Sequence, residues 1–160
     1  MSRAWLFPVI TAAVIAVLVA VMGATITEIG PWYRSLKQPW WAPPDAAYGV
    51  AWTAIYALTA LAGVTGWLAM SRQSEREWLL GMFALNGFLN ILWSLLFFRF
   101  HRPDWALIEV VVLWLSVAAL IVVIWRRSMI GAVLLIPYLI WVTFAGYLNM
   151  TIVRLNEPFS

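Results

Sequence analysis

The chain has 160 residues, of which 64% are hydrophobic and 11% charged, with a mean hydropathy of +0.89; an ordinary soluble domain carries roughly 45–50% apolar and about 25% charged residues, so a soluble globular protein is excluded. Crossing a hydrocarbon core of roughly 30 Å takes about 20 apolar residues, which leaves room for at most about six or seven spans and no sizeable domain outside the membrane. The net charge of +3 comes from basic residues scattered in ones and twos, with no electrostatic footprint for nucleic acid, and the absence of cysteine excludes disulfides, thiolate metal sites and a cysteine nucleophile.

Five apolar segments follow in chain order: Ala4 to about Thr25, Tyr48 to Met70, Trp78 to Phe98, Trp105 to Trp125, and Met129 to Val153, each of 21 or more residues. Backbone groups in lipid must be satisfied within the segment, so the spans are predicted as helices. The fold class is therefore all-α: a single domain over residues 1–160, a bundle of five transmembrane helices. In the first segment Arg3 precedes an apolar run, as in a secretory leader, but the run from Ala4 to Met22 outlasts the usual leader core of about 7–15 residues. Ala12, Ala16, Ala20 and Ala24 form a ladder of small residues suited to close helix packing, so the segment is read as a retained span and the ladder as a candidate homodimer face.

Ile26 to Ala47 is a long connector holding Pro31, Pro39, Pro43 and Pro44 together with Trp32, Tyr33, Trp40 and Trp41. Loops of that length in compact domains are usually functional or disordered, and the aromatic content argues against disorder. It is predicted to be a structured lid packed on one mouth of the bundle. The other connectors, Ser71–Glu77, Arg99–Asp104 and Arg126–Ser128, are short and make sequential spans antiparallel, with Pro103 and Asp104 placed to start the fourth. Lys and Arg divide five against five between the two sides, so the positive-inside rule assigns no orientation.

Polar groups inside a span are functional candidates by default. Asn86, Asn90, Trp93 and Phe97 share one face of the third span; Trp52 and Tyr56 stand four apart near the lid end of the second; Pro137, Trp141, Ala145 and Asn149 form a line on the fifth. Flat aromatics with amides and hydroxyls suit a large planar apolar ligand with a polar fringe. Trp5, Trp67, Trp78, Trp105 and Trp125 sit at span ends and are expected to anchor the interface. Glu109 lies one turn inside the fourth span, with Val112 and Ser116 on roughly the same face, shallow enough to reach the interface. His101 stands in a turn without a second histidine, and no metal site is predicted.

The run WYRSLKQPWWAPP from Trp32 to Pro44 continues into Val50, Ala51, Trp52 and Tyr56; LNILW from Leu89 to Trp93 precedes Phe97 and Phe98; PYLIW from Pro137 to Trp141 precedes Ala145, Leu148 and Asn149. Together these resemble the TspO/MBR family, the tryptophan-rich sensory proteins and translocator proteins, over nearly the whole chain. The resemblance implies a five-helix membrane bundle, often dimeric, whose first loop closes a ligand pocket. It also implies binding of porphyrins such as protoporphyrin IX and haem, of sterols and of benzodiazepine-like ligands, with light-dependent porphyrin breakdown in some bacterial members. Carried over position by position, the ligand contacts fall on Tyr33 and Pro43 in the loop, Trp52 in the second span, Asn90 and Trp93 in the third, and Trp141 and Ala145 in the fifth. Asn86 joins them as the residue standing where many members have glutamine. The cholesterol motif proposed for the family is incomplete here, because Tyr147 is separated from Arg154 by six residues.

The leading expectation is a membrane receptor or sensor for porphyrin or haem that modulates tetrapyrrole transport or breakdown. No resident cofactor is required, and the partners are the planar ligand, the bilayer and a second copy of the chain. Two alternatives stand beside it: a light-dependent porphyrin-degrading enzyme with Trp52 and Trp141 as redox-active indoles, and a small secondary transporter using Glu109 and Pro137.

Overall fold

A computed structural model describes residues 3–27 and 29–159. The elements are α1 (Leu6–Ile26), the short α2 (Pro31–Ser35), α3 (Asp45–Ala69), α4 (Gln73–Ser94) running into a π-helical turn (Leu95–Arg99), α5 (Pro103–Trp125), α6 (Met129–Leu134) and α7 (Ile136–Asn156). No strand occurs among the described residues. Five stretches are long and apolar enough to cross a membrane: α1, α3, α4 with its π turn, α5, and α6 with α7.

Helix starts differ from the apolar boundaries for electrostatic reasons. α3 begins at Asp45, ahead of Tyr48, because Pro44 holds an extended conformation and the Asp45 carboxylate then sits in the first turn, where the helix dipole favours it. α4 begins at Gln73, so most of the polar segment before Trp78 is helical. Glu75 accepts the Arg72 backbone N–H at 3.4 Å and pairs with Arg127, tying this end of α4 to the α5–α6 turn. At the other end of the molecule Pro103 and Asp104 do open α5, with Arg102 donating to Asp104 at 2.8 Å.

Two irregularities shape the interior. The fifth span is broken at Leu135 between α6 and α7, because Pro137 lacks the N–H that would bond back to Val133 and its ring crowds that carbonyl. The π turn closing α4 widens the spiral, so that Phe97 and Phe98, neighbours in sequence, are both buried.

The core follows α5, whose Leu113, Val117, Leu120 and Ile124 are sealed by packing against α4, α6 and α7. α1 is peripheral; it rests on α3 and α4 and turns most of its side chains outward. The alanine ladder lies on its inward side: Ala12 and Ala16 wall one cavity, Ala20 and Ala24 another. The ladder thus borders the two cavities that α1 forms with its neighbours.

Candidate functional site: an aromatic cavity under the loop

The lid end of the bundle encloses a cavity of about 350 Å³. Trp52 from α3 and Trp141 from α7 meet in its wall as an edge-to-face pair with ring centroids 6.2 Å apart and planes at 86°. Across from them Trp93 stacks on Phe97 at 5.3 Å. Small residues make the space: Ala145 lies one turn beyond Trp141, and at Gly23 an added Cβ would stand 3.3 Å from the Tyr56 hydroxyl. A larger side chain at either position would enter the cavity or displace its wall.

The loop forms the roof. Tyr33 is buried against Phe98 at 5.6 Å and Phe97 at 6.3 Å, and burial raises its phenol pKa above the ordinary value. Trp32 stacks on His101 at 4.2 Å, and His101 reaches that position with φ of 54°, a left-handed conformation unusual outside glycine. Trp41 stacks on Tyr147 of α7 at 5.3 Å. The clamp on the segment between them is polar: Asn156 accepts the Lys37 N–H at 2.8 Å and donates to the Lys37 carbonyl at 3.0 Å. Arg34 pairs with Asp45 at 3.6 Å near the start of α3. The structured lid expected from aromatic content is present, although Trp40 takes no part in it and is 95% exposed.

Four polar atoms in the lining are buried without a hydrogen-bond partner: Tyr48 Oη, Trp93 Nε1, Trp141 Nε1 and Asn149 Oδ1. Buried polar groups are nearly always paired, and an unpaired one costs about 1–3 kcal/mol. Three of the four are able to donate and one only accepts. Among the described residues the lining contains no cation, and its charged member is Asp45.

Asn86 and Asn90 do not reach this cavity. They belong to a chain of hydrogen bonds beneath it that links four helices: Tyr56 donates to Asn90 (3.3 Å), Asn90 to Tyr138 (2.9 Å), Tyr138 to Asn86 (3.1 Å) and Asn86 to Ser116 (2.9 Å). Ser116 completes it by donating to the Leu113 carbonyl at 2.7 Å. Both asparagines are buried and line a second cavity on the far side of this chain. The structure therefore brings Tyr33, Trp52, Trp93, Trp141 and Ala145 together, and places Asn86 and Asn90 in the partition below. Pro43 stays in the loop before α3, outside the lining.

Sequence reasoning missed Tyr48 and Tyr138. Tyr138 precedes Trp141 by one helical turn, and that spacing was the available signal; Tyr48 opened an apolar segment and carried none. Trp67 also differs from expectation. It is half-buried, with Phe7 at 5.7 Å and the Arg76 guanidinium 5.4 Å from its ring, whereas Trp5, Trp78, Trp105 and Trp125 are exposed as interfacial anchors would be. Glu109, placed within reach of the interface by its position in sequence, is 7% exposed with both carboxylate oxygens unpartnered, because the face of α5 that carries it packs inward.

The sequence model of the TspO/MBR family matches residues 8–155, which takes in every helix that lines the cavity. The chain belongs to the TspO/MBR family. It is 41% identical to Protein CrtK of Rhodobacter capsulatus over 150 residues, 90% of this chain and 91% of that protein. With the tryptophan-rich protein TspO of Chlorobaculum tepidum it shares 38% identity over 140 residues, covering 84% and 86% of the two chains. The human translocator protein is 30% identical over 127 residues, 79% of this chain and 75% of that one. Membership of the TspO/MBR family and the five spanning helices together make this an integral, multi-pass membrane protein.

Proposed function

We propose that this TspO/MBR protein is a membrane receptor or sensor that binds a planar tetrapyrrole, protoporphyrin IX or haem, in the cavity beneath the loop and so influences tetrapyrrole transport or breakdown. Family membership supports the receptor or sensor role. The observation that carries the ligand class is the lining itself: three indoles and a set of unpartnered polar atoms, mostly donors, in one cavity. Indole faces cover a flat macrocycle over a large area, and Trp93, Trp141 and Tyr48 offer donors to acceptor atoms on its rim. Tyr33, Trp52, Trp93, Trp141 and Ala145 are the ligand contacts in this proposal; Asn86, Asn90 and Pro43 support them from outside the lining.

Titration with protoporphyrin IX in the dark is expected to quench tryptophan fluorescence saturably. Trp52→Leu keeps an apolar side chain but removes the flat ring. By analogy with base–aromatic stacking, worth about 1–3 kcal/mol, affinity should fall about five- to 150-fold. Wild-type affinity in that variant, or quenching that never saturates, removes the pocket from the proposal. Illuminating the same sample separates a binder from an enzyme: loss of the porphyrin Soret band beyond a protein-free control would mark chemistry at the Trp52–Trp141 pair.

A further inference from the structure

On the side of the hydrogen-bonded chain away from the lid, a second cavity of about 110 Å³ lies between α1, α3 and α4. Small residues create it: Ala12 and Ala16 on α1, Ala60 and Gly63 on α3, and Gly87 on α4. A Cβ on Gly63 would stand 3.7 Å from the Phe83 ring, and one on Gly87 3.6 Å from Val19, so neither glycine is forced by crowding. Among the described residues no charged one lines the space, and Phe7, Trp67 and Phe83 give it aromatic walls. Apolar cavities of roughly this size stay dry and take up small hydrocarbons such as benzene.

Besides the Tyr56, Asn86, Asn90 and Tyr138 groups of the hydrogen-bonded chain, two threonine hydroxyls interrupt the apolar lining. Thr25, Thr53, Thr65, Thr143 and Thr151 each donate to the carbonyl four residues back, the usual way a helix absorbs a threonine in an apolar setting. Thr11 and Thr59, the threonines that line this cavity, make no hydrogen bond, and the Thr59 hydroxyl is buried. The surrounding amides and tyrosines are engaged in the Tyr56–Asn90–Tyr138–Asn86 chain, and these two hydroxyls stand outside it. α1, which forms one wall, turns its outer side away from the bundle, and its seam with α4 is thinner than its contact with α3. A molecule dissolved in the bilayer would enter through that seam.

We propose that this cavity is a second binding site, separate from the one beneath the loop, for a neutral bilayer-dissolved molecule whose buried part is one hydrocarbon ring bearing one oxygen, a cyclic ketone or alcohol. The aromatic walls take the ring, Thr59 bonds the oxygen, and the uncharged lining rejects ions. The inference is independent of what the upper cavity holds.

The test uses the full chain in lipid nanodiscs and trifluoromethyl-cyclohexanone followed by fluorine NMR. Wild-type protein should give a bound resonance that saturates above the background of ketone dissolved in lipid. Ala12→Leu, which fills the cavity from α1, should weaken binding at least about tenfold. The isosteric Thr59→Val, which keeps the packing and removes the hydroxyl, should weaken it roughly fivefold, the loss of one hydrogen bond. Ala145→Leu, which fills the upper cavity, should leave it unchanged. The proposal fails if no saturable resonance appears, if Thr59→Val binds as the wild type does, or if Ala145→Leu abolishes the signal while Ala12→Leu preserves it.

Discussion

Tyr138 accepts from Asn90 and donates to Asn86, so a single hydroxyl joins the two amides of α4 to each other through α7. Each link of this chain pairs one donor with one acceptor, and in a low-dielectric interior such bonds reinforce one another. Tyr138→Phe preserves the ring and strands one donor and one acceptor. Thermal unfolding should show a loss of about 2–6 kcal/mol, from roughly 1–3 for each orphaned group, while porphyrin affinity changes little because Tyr138 does not line the upper cavity. Equal stability would mean that the amides find other partners. The asparagines were visible in sequence as an amide stripe on one face, but whether an amide meets a ligand or a tyrosine depends on what α7 brings opposite it, and helical phase on α4 carries no information about that.

At the scale of elements, the lid is held by aromatic contacts at Trp32, Tyr33 and Trp41 and by the paired hydrogen bonds between Asn156 and the Lys37 backbone. Asn156 lies at the end of α7, 119 residues from Lys37, so the pairing closes the roof onto the helix that supplies Trp141 and Ala145. Asn156→Ala removes both bonds. At about 0.5–1.5 kcal/mol each, the open lid should become roughly five- to 150-fold more populated, read as faster trypsin cleavage after Arg34 and Lys37 under conditions where opening is in rapid equilibrium. Cleavage at the wild-type rate would show that the aromatic contacts hold the lid alone. The loop announced itself through proline and tryptophan content; its latch did not, since a lone asparagine at the end of a span looks like any solvated polar residue.

For the whole molecule, the ladder of Ala12, Ala16, Ala20 and Ala24 borders the two cavities, which bears on where a second copy would dock. We propose that the homodimer implied by the family resemblance forms on another surface than the one bearing Ala12 and Ala16, which line the cavity between α1, α3 and α4. Ala16→Leu should therefore leave the crosslinked dimer fraction in bilayers unchanged, though it intrudes on the lower cavity. A marked fall in that fraction would return the ladder to the interface.

Five spans, their antiparallel order and a structured first loop follow from sequence, because lipid permits only hydrogen-bonded helices of a set length and the connectors leave the short ones no other route. The aromatic set Trp52, Trp93 and Trp141 was likewise readable, since helical phase places each on a face with other polar or aromatic groups. Tertiary structure alone decided the rest. The π turn that brings in Phe98, the left-handed His101 under Trp32, the burial of Glu109 and the division of the interior into two cavities all depend on how helices rotate against one another. Inside a membrane nearly every face of a helix is apolar, so hydrophobic periodicity, which orients helices in water, gives too weak a signal to predict that rotation.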